Sequence, residues 1–211
     1  MFRWILLFLF TLNLCGALQA DDVPVSEIFL KRHSGKSFDP SRNVPMEHVM
    51  ALVEAARWTP SSHNDQPWNF IICERSLTPE AYQKVFGSLK AETQQKWAVN
   101  APLLIVVVSR SKDLYKGNFN PWHAYDTGAA AMSLSLQAAD LNLMTHQIGG
   151  FNKQMIVEEF HLPEDCQPQT IIVVGYESAD ADVYPRERRP KEANFFLGQW
   201  GVGLNDTPAS D

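Results

Sequence analysis

Three runs along the chain are apolar at nearly every position: WNFII at 68–72, PLLIVVVS at 102–109 and TIIVVGY at 170–176. Their length and β-branched content suit strands buried on both faces, and they predict the middle of one sheet. Residues 45–58 follow another period. Apolar side chains recur at Val49, Leu52, Val53 and Ala56, with Glu47, Glu54 and Arg57 elsewhere and Pro45 suited to a first turn, which predicts an amphipathic surface helix. Residues 122–141 carry no Lys or Arg and spread Ala, Gly, Ser, Met and Leu over every face, so a buried central helix is expected there, on the order of 30 Å long. Asn142 stands where a left-handed residue would close it. Helices and strands mixed in this order, without repeat, low-complexity tract or linker, predict one α+β sandwich.

Composition narrows the class of protein. The chain has 211 residues, 45% hydrophobic and 20% charged, which is ordinary for a single globular core, and its net charge of −6 argues against nucleic acid. Residues 1–20 read differently. Arg3, an uncharged apolar run and the small residues Gly16, Ala17 and Ala20 have the layout of a signal peptide cleaved after Ala20, and the run is short for a membrane span. The expected organisation is a signal or N-terminal anchor over 1–20, one domain over 21–200 and a polar tail over 201–211. Export to the periplasm or medium follows; a membrane-tethered or cytoplasmic protein is the alternative, with membrane contact only through an uncleaved N-terminus. Beyond the leader, Cys73 and Cys166 lie too far apart in sequence to signal a disulfide or a metal site.

Four segments carry candidate chemistry. Lys31 to Phe38 places three cations, Lys31, Arg32 and Lys36, beside His33, Ser34 and Ser37 at a helix end, a set that can hold a phosphate. Residues 59–68, TPSSHNDQPW, set Ser61, Ser62, Asn64 and Gln66 between Pro60 and Pro67, a rigid polar loop suited to a planar heterocycle with amide-like edges. Gln147, Ile148, Gly149 and Gly150 let backbone N–H groups approach a ligand closely. Arg186, Arg188 and Arg189 form a second cationic group, followed by ANFFLGQW. That arm has too many aromatics for a free tail and is expected to wrap a partner subunit. Singly, each segment also has a plain reading as a solvated helix end, a loop, a turn or a solvated charge run.

In combination and in order, RHSGKSF, PSSHNDQPW, YDTGAAAMSLSLQAADLNL, QIGGF and RERRP resemble the nitroreductase family over roughly residues 26–190. The resemblance implies an α/β sandwich with a central mixed sheet flanked by helices, assembled as a domain-swapped homodimer with FMN between subunits. It implies that Arg32, His33 and Ser34 hold the FMN phosphate with Arg186 and Arg188, and that Lys36 approaches the pyrimidine edge. Ser61, Ser62, Asn64 and Gln66 would reach the flavin from the partner, and Ile148, Gly149 and Gly150 would present backbone near N5. The implied activity is a ping-pong transfer of two electrons from NADH or NADPH to a small aromatic, nitro or quinone acceptor. No catalytic side chain and no metal are implied, since the chemistry belongs to the cofactor. The chain departs from the family in its short 109–122 connection, in Asn142 where many relatives have Gly, and in Gly149 where some have an acidic residue. A membrane-tethered reductive dehalogenase on the same fold and a non-catalytic flavin-binding protein are the alternatives.

Overall fold

The computed structural model describes residues 25–181 and 186–204. The leader expected at 1–20, Tyr184 of the arm and residues 205–211 of the expected tail lie outside these.

The apolar runs become strands β1 (Trp68–Glu74), β2 (Leu103–Arg110) and β4 (Cys166–Gly175), joined by the shorter β3 (Met144–Ile148) in the order β1-β2-β4-β3. The helices are α1 (Glu27–Lys31), α2 (Met46–Arg57), α3 (Pro79–Gly87), α4 (Glu92–Ala98), α5 (His123–Asp140) and α6 (Lys153–Glu159). Side chains alternate across the sheet, as the two-residue period of a strand requires. Leu104, Val106, Val108, Ile171 and Val173 face a core with Tyr82, Val85, Ile148, Phe151 and Ile156, while Leu103, Ile105, Val107, Ile172 and Val174 face Leu52, Ala56, Ala130, Leu134 and Ala138. Helices therefore cover both faces, α3, α4 and α6 on one and α2 with α5 on the other, giving the expected α+β layering.

Three expectations change. Every strand pairing among the described residues is antiparallel, where a mixed sheet was implied. A continuous apolar run reports burial on both faces and is blind to the direction of the neighbouring strand. WNFII belongs to β1, an edge strand that is mostly half-buried; only β2 and β4 are central. Helix α5 is buried on one face through His123, Asp126, Thr127, Ala130, Ala131, Leu134, Ser135, Ala138 and Ala139, but Tyr125, Gly128 and Met132 face outward. Small residues on every face of a helix permit close packing on any side without showing which sides are packed within one chain. Asn142 does adopt the left-handed conformation, with φ of 58°.

Leu134 is fully buried between α5 and the sheet. Leu134→Ala is expected to lower stability by about 2–5 kcal/mol through lost burial and the cavity left behind, read from the urea unfolding midpoint.

Candidate functional site

The first motif begins at the end of α1, whose five residues leave carbonyls without helical partners. Arg186 supplies donors across 154 residues or more. Its Nη1 donates to the carbonyls of Phe29 at 3.1 Å and Arg32 at 2.7 Å, and its Nη2 donates to Leu30 O. This cap draws the C-terminal arm onto the motif. Arg32 donates to Ser34 Oγ at 3.4 Å. Its pKa is held below the usual guanidinium value, first by burial and then by the charges of Arg186 and Arg188. Among the described residues none of these three arginines has a carboxylate within ion-pair distance. Each of these like charges disfavours the charged form of its neighbours, a cost that a nearby anion would offset.

His33 stands beside them with both ring nitrogens engaged: Nδ1 lies 3.0 Å from the Lys31 carbonyl and Nε2 lies 2.8 Å from Glu177 Oε1. Only the imidazolium can donate to a carbonyl and a carboxylate together. Burial, the largest single influence, opposes the charge, but the Lys31 carbonyl and the Glu177 carboxylate outweigh it and raise the pKa. The shift favours the imidazolium, whose two N–H groups match the two protein acceptors that its ring nitrogens face. Sequence reasoning missed Glu177; its only signal was an acidic residue directly after a buried strand.

The motif lies close against β3. A Cβ on Gly35 would stand 2.2 Å from Met144 Sδ, so the backbone needs glycine there to pack. His146 Nδ1 donates to Gly35 O at 3.0 Å, and its ring centroid is 4.6 Å from that of Trp97. Burial chiefly, with the nearby Lys36 charge, lowers the His146 pKa. Two residues on, Ile148 is buried and its carbonyl accepts from Thr170 Oγ1, so its side chain belongs to the core. Gly149 faces open space. A Cβ on Gly150 would meet the Gln94 amide nitrogen at 3.1 Å, and Gln94 Oε1 is buried with no hydrogen-bond partner. Gln94 was also missed, since a Gln on a short polar helix looks solvated.

The second motif is strained. His63, Asn64 and Gln66 have φ of 53°, 55° and 48°, a left-handed region that costs non-glycine residues on the order of 1–2 kcal/mol each. Internal bonds hold the shape: Ser61 Oγ accepts from the Gln66 amide at 3.0 Å, and Gln66 Nε2 donates to Asn64 O at 3.1 Å. Two buried carboxylates anchor it. Asp126, in the first turn of α5, accepts from the Ser62 amide at 3.0 Å, while Asp65 turns away toward residues 110–120.

The two motifs occupy opposite ends of α5. Ser62 touches Asp126 at its start, whereas Lys31, His33 and Glu177 line a cavity of about 210 Å³ with Ala139, Asn142, Leu143 and Met144 at its finish. Asp126 and Ala139 stand 13 residues apart on α5, about 20 Å at ~1.5 Å per residue. One chain therefore brings Arg32, His33 and Ser34 together with Arg186 and Arg188, with Lys36 next along beside His146 of β3; Gly149 and Gly150 follow the far end of β3 against Gln94, and Ser61, Ser62, Asn64 and Gln66 stand apart from the arginines at the start of α5. Among the described residues no cluster of His, Cys, Asp or Glu could hold a metal.

A profile described as the Nitroreductase family matches residues 29–176. The chain is 33% identical over 66 residues to the major NAD(P)H-flavin oxidoreductase of Aliivibrio fischeri, a local match that covers 31% of this chain and 30% of that protein. It is 23% identical over 179 residues to the iodotyrosine deiodinase of Haliscomenobacter hydrossis, covering 72% of this chain and 79% of that one. A crystal structure described as an oxidoreductase containing FMN superimposes with a TM-score of 0.78 at 31% identity, covering 86% of this chain and 95% of the other.

The His33 geometry makes a measurable claim. Because its folded pKa is raised above the ordinary 6.5, its contribution to stability is complete below pH 6.5 and is lost as pH rises through the folded value. NMR titration should place His33 above 6.5 in the native protein and return it to or below 6.5 in Glu177→Gln; an unmoved pKa in the variant contradicts the pairing.

Proposed function

The chain belongs to the nitroreductase family, and with it to the FMN-dependent oxidoreductases that draw on NADH or NADPH; we propose that it passes two electrons to a small aromatic, nitro or quinone acceptor in a ping-pong cycle, as a homodimer with two composite sites. The observation that carries this reading is the separation of the two motifs along α5. A flavin held at the first motif can meet the strained loop only if a second copy supplies it. Surfaces suited to that copy are present. Tyr125 and Met132 on the outward face of α5 are 76% and 45% exposed, and Phe195, Leu197 and Trp200 of the arm lie open.

The residues present fit FMN. Arg32, Arg188 and the Arg186 charge would bind the phosphate, with His33 adding positive charge while Glu177 and Lys31 O hold its ring. Lys36 and the unsatisfied Gln94 amide, against the glycine pair, suit the polar edge of a heterocycle. When bound, FMN supplies the two-electron chemistry. The chain contributes cations that favour negative charge, and loops preset in shape so that little ordering remains when ligand arrives.

A second reading, reductive removal of halide from a halogenated aromatic, is favoured by the similarity to an iodotyrosine deiodinase. Halide release under argon with reduced enzyme distinguishes it from nitro or quinone reduction.

Arg32→Ala and Arg188→Ala are each expected to weaken FMN binding by roughly 1.5–3 kcal/mol, about ten- to a hundredfold, measured by flavin fluorescence titration. Unchanged affinity in both would remove the phosphate assignment. Mixing Arg32→Ala chains with Asn64→Ala chains should restore one intact site in each mixed dimer; no restoration, or a monomer that retains FMN on sizing, contradicts a shared site. NADH or NADPH should bleach the flavin absorbance anaerobically, whereas bands that persist would indicate a carrier.

A further inference from the structure

The connection from β2 to α5 folds into a finger. Lys112 and Phe119 pair in an antiparallel bridge, the Asp113 amide donates to Asn118 O at 2.8 Å, and Gly117 turns the chain with φ of +69°. Asp113 Oδ1 accepts the amides of Tyr115 at 2.9 Å and Lys116 at 2.6 Å, which closes the tip. Asp65 ties this finger to the strained loop. It is 2% exposed; Oδ1 accepts from the Leu114 amide and Oδ2 from Asn120 Nδ2, each at 2.8 Å, with Arg110 Nη2 3.7 Å from Oδ1.

Between finger and loop lies a cavity of about 550 Å³, a volume suited to a small organic ligand. Tyr115, Phe119 and Trp122 line it and are 78%, 68% and 54% exposed, an aromatic wall with no work to do in the core. Both lining carboxylates already accept N–H donors. Lys116 lines it as a cation, and His63 lines it too, with its Nδ1 3.1 Å from Ser62 Oγ.

We propose that this cavity is the acceptor site and takes a planar aromatic ring bearing an acidic group, the ring against Tyr115, Phe119 and Trp122 and the anion toward Lys116. Asp65 is the positioning residue that holds the finger in place. The proposal rests on the oxidoreductase reading, because Ser62 and His63 of the same wall belong to the loop that reading assigns to the flavin.

Calorimetric titration of the FMN-loaded protein with 4-nitrobenzoate and with the neutral 4-nitrobenzamide tests it. The carboxylate is expected to bind about tenfold more tightly, the order of one charge-assisted hydrogen bond. Lys116→Gln should abolish that preference and Phe119→Ala should weaken both ligands, with FMN affinity unchanged in each; both residues sit on the exposed finger, so folding is not at stake. Asp65→Asn should raise the acceptor KM severalfold with a smaller change in kcat. Equal affinity for the two ligands, or a preference that survives Lys116→Gln, overturns the proposal. Flavin bleaching by NADH or NADPH is read separately, so equal affinity for the two ligands in unmodified protein that still bleaches removes the cavity assignment and leaves the oxidoreductase reading standing.

Discussion

Ala130 and Ala138, small enough to bring the helix close, and the buried Leu134 between them seat helix α5 on the sheet, and that packing sets the distance between the two polar motifs. Shortening it would require opening a core in which Leu52, Leu134 and Ile105 are fully buried, and protein interiors packed to crystal-like density do not yield in this way. The outward side of the same helix offers the complementary opportunity. At Gly128 a Cβ would find nothing within 4 Å, and Tyr125 and Met132 flank open surface, so another copy can approach closely. A single helix thus separates the half-sites within a chain and presents the surface on which a second chain could reunite them.

Local stability is given up at both half-sites. The 59–68 loop keeps three non-glycine residues in left-handed geometry, held by the bonds of Ser61 and Gln66 within it, by Asp126 on α5 accepting from Ser62, and by its own Asp65 reaching out to Leu114 and Asn120. At the first motif, Arg32, Arg186 and Arg188 repel one another while Arg186 spends its donors on the end of α1. Backbone strain in one place and like charges gathered in the other both oppose folding. Finger, loop and arm are held by polar contacts rather than apolar burial, which suits elements that position a ligand.

The layers of the fold were legible in the chain because burial on both faces leaves continuous apolar runs, and IVVV or IIVV can belong to little else. The cationic and polar-loop motifs were legible because their residue types cluster within ten positions. Strand direction and the edge place of WNFII were not, since the same run serves a parallel or an antiparallel neighbour. Glu177, Gln94 and Asp65 were also hidden. A carboxylate or amide acquires its role from a partner, and the partner of Glu177 is 144 positions away in sequence.

Periodicity and local chemistry therefore determined the elements, their burial and the residue types of each half-site, because these depend on neighbours a few positions apart. Tertiary structure alone decided that the half-sites stand about 20 Å apart along α5, that the His33 pKa is raised, and that the short 109–122 link becomes an aromatic finger. Those outcomes depend on which distant groups packing brings within hydrogen-bond reach, and linear spacing carries no record of that.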